Sequence, residues 1–331
     1  MVRSATTSAS APTSIPTPAT QAAFDTLRDT GDAASWTNLN GLWEWEKAAT
    51  AAGDVAGDAL ASPPFGKTLN GSILVPFPVE SCLSGVAPPN SGAVVQEMWY
   101  RLVFDKEAGD AGRTLLHFGA IDWQSSVYLN GKLLGNHTGG YDGFSYDVTD
   151  GLKATQNELL VYAFDPSDKG AQPNGKQRIS AIDSPGGDTY TPSSGIWQTV
   201  WLEAVPKAYI SALHINQASE DTLVVSADVA GGSMRQGGKL TSSSASGDIS
   251  FKVQDASGKT VAEGTGLSSQ NVTIQVPNAR VWGTTDPFLY NLVVTHTGGV
   301  GGGGAVSQDS VISYFGLRKR RGEKGLRNEV I

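Results

Sequence analysis

At 331 residues the chain is too long for one ordinary core and reads as two domains. Its net charge is −8, and a basic stretch at residues 318–331 leaves the body more acidic still, which argues against a nucleic-acid-binding surface. No apolar stretch approaches the roughly 20 residues of a membrane helix, and the single cysteine, Cys82, excludes an intrachain disulfide or a cysteine metal cluster.

Residues 1–24 form a Ser/Thr/Ala/Pro tract with no acidic residue and no apolar segment of a secretory signal, and are expected to be a disordered tail. AAFDTLRDTGD (22–32) predicts at most a short helix. From about Trp36 to Val205 the composition is that of an all-β domain. MWYRLVF (98–104), RTLLHFG (113–119) and NELLVYAF (157–164) have strand composition, and SSVYLNGKLLG (125–135) reads as a hairpin turning at Asn130-Gly131. GIWQTVWLEAV (195–205) reads as one further strand. Large apolar groups on both of its faces predict a strand covered on both sides, as in a sandwich.

Between these strands runs a thirty-residue Pro/Gly/Asp/Asn-rich loop, 165–194, of a length that is usually functional or disordered. After Pro206 seven candidate strands follow in about 110 residues, separated by turn clusters and by the GGVGGGG loop at 298–304. That count and spacing predicts an immunoglobulin-like sandwich without the Cys-Trp-Cys pattern of antibody domains.

Seven of the eight tryptophans lie at or before position 201. A Trp face suits the apolar C–H face of a sugar, but large β-sandwiches also use Trp as core filler, and core packing is the favoured reading for any one of them. Asp142, Asp147, Asp150, Asp165 and Asp168 sit at strand ends, where Asp most often caps turns through the local backbone. The four histidines, His117, His137, His214 and His296, are far apart with no HExxH spacing, so no metal site is expected, and no cofactor.

The blocks WTNLNGLWEW, ILVPFPVESCLSGV, WYRLVF, LLHFGAIDWQSSVYLNGKLLGNHTGGYDGFSYDVTDGL, NELLVYAFDPSD, QPNGKQ and YTPSSGIWQTVWLE occur in the order and spacing of the N-terminal domain of glycoside hydrolase family 2. VWGTTDPFLYNLVVT and SYFGLRK resemble that family's immunoglobulin-like middle domain. The resemblance implies an all-β chain: a jelly-roll, galactose-binding-like sandwich over 25–206 and an immunoglobulin-like sandwich over 207–318. It implies a carbohydrate, a β-glycoside, as the partner, with no nucleic acid and no membrane.

The resemblance also implies a third, catalytic barrel after FGLRK, holding both catalytic glutamates. A barrel needs on the order of 250 residues, and only the basic stretch 319–331 follows. The sequence therefore predicts no catalytic residue within these 331 and a chain that is not catalytic alone. Two alternatives stand beside that reading: a non-catalytic carbohydrate-binding protein, and a truncated gene model without a function of its own.

Four residues are the substrate-binding candidates. In better-known members of the family the jelly roll lends an Asp to the active site, six residues before the Gly of the SGI turn. Thr189 occupies that place here, so Asp188 beside it and Tyr190 are the candidates in the long loop. Glu80 lies in a stretch stiffened by Pro76 and Pro78 that could present it to a neighbouring domain. Trp123 is the candidate stacking surface for a sugar ring.

Overall fold

A computed structural model describes residues 27–28, 36–48, 62–86, 96–106, 112–231, 247–299 and 306–319. The tail at 1–24, the centre of the GGVGGGG loop and the basic residues from 320 onward lie outside them. The described strands are β1 (Leu27–Arg28), β2 (Trp36–Asn38), β3 (Gly41–Lys47), β4 (Gly71–Val75), β5 (Glu97–Phe104), β6 (Arg113–Phe118), β7 (Ile121–Asp122), β8 (Gln124–Leu129), β9 (Lys132–Thr138), β10 (Phe144–Asp147), β11 (Asn157–Phe164), β12 (Gly195–Ile196) and β13 (Val200–Val205). They continue with β14 (Ala208–Ser219), β15 (Thr222–Gly231), β16 (Asp248–Gln254), β17 (Thr260–Leu267), β18 (Val272–Gln275), β19 (Tyr290–Gly299) and β20 (Val306–Phe315). The described residues contain no α-helix.

The first unit is a jelly-roll sandwich. A six-stranded antiparallel sheet, in the order β4-β3-β5-β11-β8-β9, faces a four-stranded sheet, β10-β6-β13-β2. Alternation along each strand sends one set of side chains inward. Trp43, Ile73, Met98, Tyr100, Val127, Leu159 and Val161 from the larger sheet meet Leu116, Phe118, Tyr146, Val200 and Leu202 from the smaller. The β8–β9 hairpin turns at Asn130 and Gly131, both with positive φ (52° and 83°), as an Asn-Gly turn of the primed type requires.

The run 195–205, expected as one strand, is two. Gly195–Ile196 pairs with β7 in a separate two-stranded ribbon, whereas Val200–Val205 lies between β6 and β2. The chain changes partners over Trp197–Thr199. The expectation that both faces of the run are covered holds: Val200 and Leu202 enter the core, while half-buried Trp201 stacks on the other side between Trp36 (centroids 6.2 Å apart) and His117 (4.7 Å).

The outer face of the larger sheet is roofed by residues 62–70. Phe65 and Leu69 pack onto Trp99, Leu160 and Tyr162. Arg101 fastens that roof indirectly. It binds Glu44 (2.7 Å) and Glu158 (2.6 Å), and these carboxylates accept the backbone N–H of Leu69 and Gly66.

The second unit is the expected immunoglobulin-like sandwich, and all seven strands read from the sequence are present. A three-stranded sheet, β14-β15-β18, packs on β20-β19-β16-β17, with Ile210, Val225, Ala227, Val229 and Ile274 meeting Ile249, Phe251, Leu292, Val294 and Val311. Leu27–Arg28 is extended rather than helical and pairs with Ile312 and Val311 on the edge of β20. The rest of 22–32, where the sequence predicts at most a short helix, lies outside the described residues. The units touch through a small cluster, Leu115 and Val205 of the first with Tyr209 and Ala230 of the second.

Candidate functional site: a buried carboxylate group beneath an aromatic rim

One end of the jelly roll is built by the β4–β5 connection, the strand pair β7/β12, the segment after β9 and the long loop 165–194. The polar centre of this end is Ser194, which is fully buried. Its N–H donates to Glu80 (2.9 Å), its hydroxyl donates to Asp165 (2.6 Å), and its carbonyl accepts the N–H of Val79 (3.3 Å). Asp165 also accepts from the N–H of Ser167 and the amide of Gln172, in the turn-capping manner expected of an Asp at a strand end. Asp147 caps its own turn in the same way, through Thr149.

A third carboxylate lies in the same group. Asp122 is 5% exposed and sits opposite Gly195 in the β7/β12 ribbon. The position of Gly140 is so close that a Cβ there would collide with the Asp122 carboxylate. Gln177 lies beside Asp122 and favours its charged form, and the Gln177 side-chain carbonyl oxygen accepts the N–H of Ser193 (2.6 Å).

Burial raises the pKa of all three acids. For Asp122 it acts together with the nearby charges of Asp165 and Glu80 and against Gln177, pushing the carboxyl up to about 7. For Asp165 and Glu80 burial outweighs the hydrogen bonds that favour their charged forms. Tyr100, fully buried, accepts the N–H of Ile196 (3.3 Å), and burial raises its phenol as well.

Aromatic side chains lie on the segments that adjoin this group and form its rim. Trp197 donates its indole N–H to the carbonyl of Gly140 (2.8 Å) and meets the exposed Tyr141 edge to face (centroids 6.4 Å apart). Tyr190, 57% exposed, is held by backbone: its N–H donates to Lys176, its carbonyl accepts from Arg178, and it bridges to Gln177. The ammonium of Lys176 lies 5.7 Å from its ring centroid.

The four sequence candidates all map to this end. Glu80 is turned inward onto Ser194 rather than outward. Trp123, half-buried, is anchored by its backbone, donating to Phe164 and accepting from Gly139. Asp188 is exposed at a turn closed between Gly186 and Thr189. Tyr190 is exposed and pairs through its backbone with Gln177. Asp122, Ser194 and Tyr141 carry no sequence signal for this role. Of the remaining tryptophans, Trp43 and Trp99 are core filler and Trp282 is 37% exposed in the second unit. Among the described residues no group of three His, Cys, Asp or Glu side chains is arranged to hold a metal ion.

Two family models match the chain in succession. One is described as the glycosyl hydrolase 2 galactose-binding domain-like family, over residues 92–197, and the other as glycosyl hydrolases family 2, over 208–318. Among curated relatives, the chain is 26% identical over 209 residues to β-galactosidase BoGH2A of Bacteroides ovatus, covering 59% of this chain and 22% of that protein. It is 27% identical over 211 residues to a β-glucuronidase of Paenibacillus borealis, covering 60% and 33%. Among solved structures, the β-glucuronidase of Lactobacillus rhamnosus shares the fold with a TM-score of 0.62 at 20% identity, over 88% of this chain and 45% of that one. The chain spans between 20% and 33% of the length of the curated relatives it matches. With both domain models matched in succession over its two sandwiches, the chain belongs to glycoside hydrolase family 2.

Proposed function

We propose that this chain forms the front part of a family 2 β-glycosidase, with 25–206 as the sugar-binding domain, 207–318 as a spacer and the jelly roll shaping the rim of the sugar pocket. The observation that carries the reading is one end of the jelly roll where exposed Tyr141 follows Gly140, which abuts the Asp122 carboxylate, and exposed Tyr190 pairs through its backbone with Gln177, in the same loop that brings Ser194 to Glu80 and Asp165. Sugar sites combine these two elements: ring faces for the apolar side of a pyranose, and a few fixed polar groups for its hydroxyls. Asp188 and Trp123 flank that end and complete the set of contacts.

In this reading the bond-breaking step belongs to a barrel domain beyond FGLRK. Hydrolysis of O-glycosyl bonds with retention needs two carboxylates about 5–5.5 Å apart, one as acid/base and one as nucleophile. Two of the buried acids at this end, Glu80 and Asp165, are committed to Ser194. The much greater length of the relatives supports a further domain.

The test is a titration of the 331-residue chain with methyl β-D-galactopyranoside and methyl β-D-glucuronide, followed by NMR. The reading expects saturable shifts with at least one glycoside, weakened in the Tyr190→Ala variant. No shift with either sugar would remove the jelly roll from sugar recognition.

A further inference from the structure

Asparagine is a chemically labile residue, most of all before glycine, where no Cβ hinders the backbone nitrogen that attacks its carboxamide. Four Asn-Gly pairs occur in the chain: Asn40-Gly41, Asn70-Gly71, Asn130-Gly131 and Asn174-Gly175. The fold holds three of them still. The Asn40 carboxamide donates to the Thr199 hydroxyl (3.2 Å) and accepts the N–H of Val200 (2.9 Å), and Gly41 lies opposite Val75 in the β3–β4 ladder. Asn70 donates to Glu46 (2.9 Å), and Gly71 lies opposite Trp45 in the same ladder. Asn130 is gripped at both ends. Its amide donates to the carbonyl of Gly151 (2.7 Å) and to Asn157 (3.0 Å), and its oxygen accepts the N–H of Glu158 (3.0 Å).

Asn174 lacks such a grip. Neither its carboxamide nor the N–H of Gly175 has a hydrogen-bond partner among the described residues. Gly175 is exposed, has a φ of +55°, and a Cβ placed on it would meet nothing within 4 Å. The turn is closed by one backbone bond, from the N–H of Gln177 to the carbonyl of Asn174 (3.0 Å).

We propose that Asn174-Gly175 is a site of spontaneous deamidation, with water as the co-reactant. The Gly175 nitrogen attacks Cγ of Asn174, and the new C–N bond closes a cyclic imide. The Cγ–Nδ2 bond breaks, and Nδ2 leaves as ammonia with the proton that Gly175 gives up. One water then opens the imide at either carbonyl, leaving aspartate or isoaspartate at 174.

The product alters the support of the rim, whatever that rim binds. A carboxylate appears on the turn of Lys176, whose carbonyl accepts the N–H of Tyr190 (2.9 Å) and whose ammonium lies 5.7 Å from the Tyr190 ring centroid. In the isoaspartate form the main chain is rerouted through the side chain, and the carbonyl that held Gln177 becomes that carboxylate.

The experiment keeps the 331-residue chain in mildly alkaline buffer at physiological temperature, either folded or in concentrated urea. Conversion at the four asparagines is followed by peptide mapping with mass spectrometry, aspartate and isoaspartate being separated by retention time. In the folded chain Asn174 should convert roughly tenfold or more faster than each of the other three, the factor expected when their hydrogen bonds must open first. In urea, where those bonds are gone, the four rates should converge. Equal rates in the folded chain, a faster site among the other three, or a lead of Asn174 that persists undiminished in urea overturns the inference.

Discussion

Replacing Gly195 by alanine tests the construction of the rim at its tightest point. Gly195 has a φ of +85°, and a Cβ there would run into the hydroxyl of Tyr100 and come within 3.0 Å of the Met98 sulfur. Two costs follow. The left-handed backbone costs a residue with a Cβ roughly 1–2 kcal/mol. Forcing a methyl against the fully buried Tyr100 adds the roughly 1–3 kcal/mol typical of overpacking. Together they give about 2–5 kcal/mol, or a fall in Tm of roughly 5–15 °C for a domain of this size.

The second cost can be isolated. In Tyr100→Phe the obstructing oxygen is gone, at the expense of its hydrogen bond from the N–H of Ile196, about 1 kcal/mol. The double variant should therefore lose less than the sum of the single losses, by about 1–2 kcal/mol. Urea unfolding of the four proteins completes the cycle. A Gly195→Ala loss under about 1 kcal/mol, or a cycle without coupling, would show that the packing of Tyr100 on Gly195 does not constrain this end of the molecule.

Two further outcomes concern stability elsewhere. Arg101→Met leaves Glu44 and Glu158 without their shared cation, and these carboxylates hold the backbone of Leu69 and Gly66. The expected loss is about 2–3 kcal/mol, accompanied by faster proteolytic cleavage within 62–70, and an unchanged cleavage rate would contradict the fastening role. In the second sandwich, His296 is fully buried, and neither ring nitrogen has a hydrogen-bond partner among the described residues. Burial holds its pKa below the ordinary histidine range, against the opposing charge of Asp309. The unfolded chain thus binds that proton more readily, so stability is complete above about pH 6.5 and declines as the pH drops below it. The decline should flatten in His296→Leu when urea midpoints are compared across that range, and an equal slope in the variant would exclude His296 as its source.

Much of the architecture was legible because local signals and global packing agree. The seven strands after Pro206 are punctuated by turn residues, and Asn130-Gly131 marks a hairpin by its backbone requirement alone. The break between β12 and β13 was not legible, since apolar residues run through it without interruption. Only the competing partners, β7 on one side and β6 with β2 on the other, divide it. The burial of Asp122 has no counterpart in the sequence, for a physical reason. Asp122 lies in a two-residue strand, and its properties come from Gln177, Gly140, Asp165 and Glu80, which are distant in sequence and gathered only by the fold. The resemblance to family members pointed to the loop; the gathering of Asp122 with Asp165 and Glu80 has no signature in the chain order.

The stretch from Ser194 to Ile210 is clamped at both ends. Ser194 is gripped by Glu80 and Asp165, and the N–H of Ile210 is held by Asp309 at 2.6 Å in the second sandwich. Between the clamps β13 runs flanked on both sides by antiparallel neighbours. Tension applied along this stretch loads its ladder bonds in parallel, as shear, and they must fail together rather than unzip one at a time. The polypeptide therefore works as a tie rod: a load placed on the rim reaches the second sandwich through a strand rather than through a pliable linker.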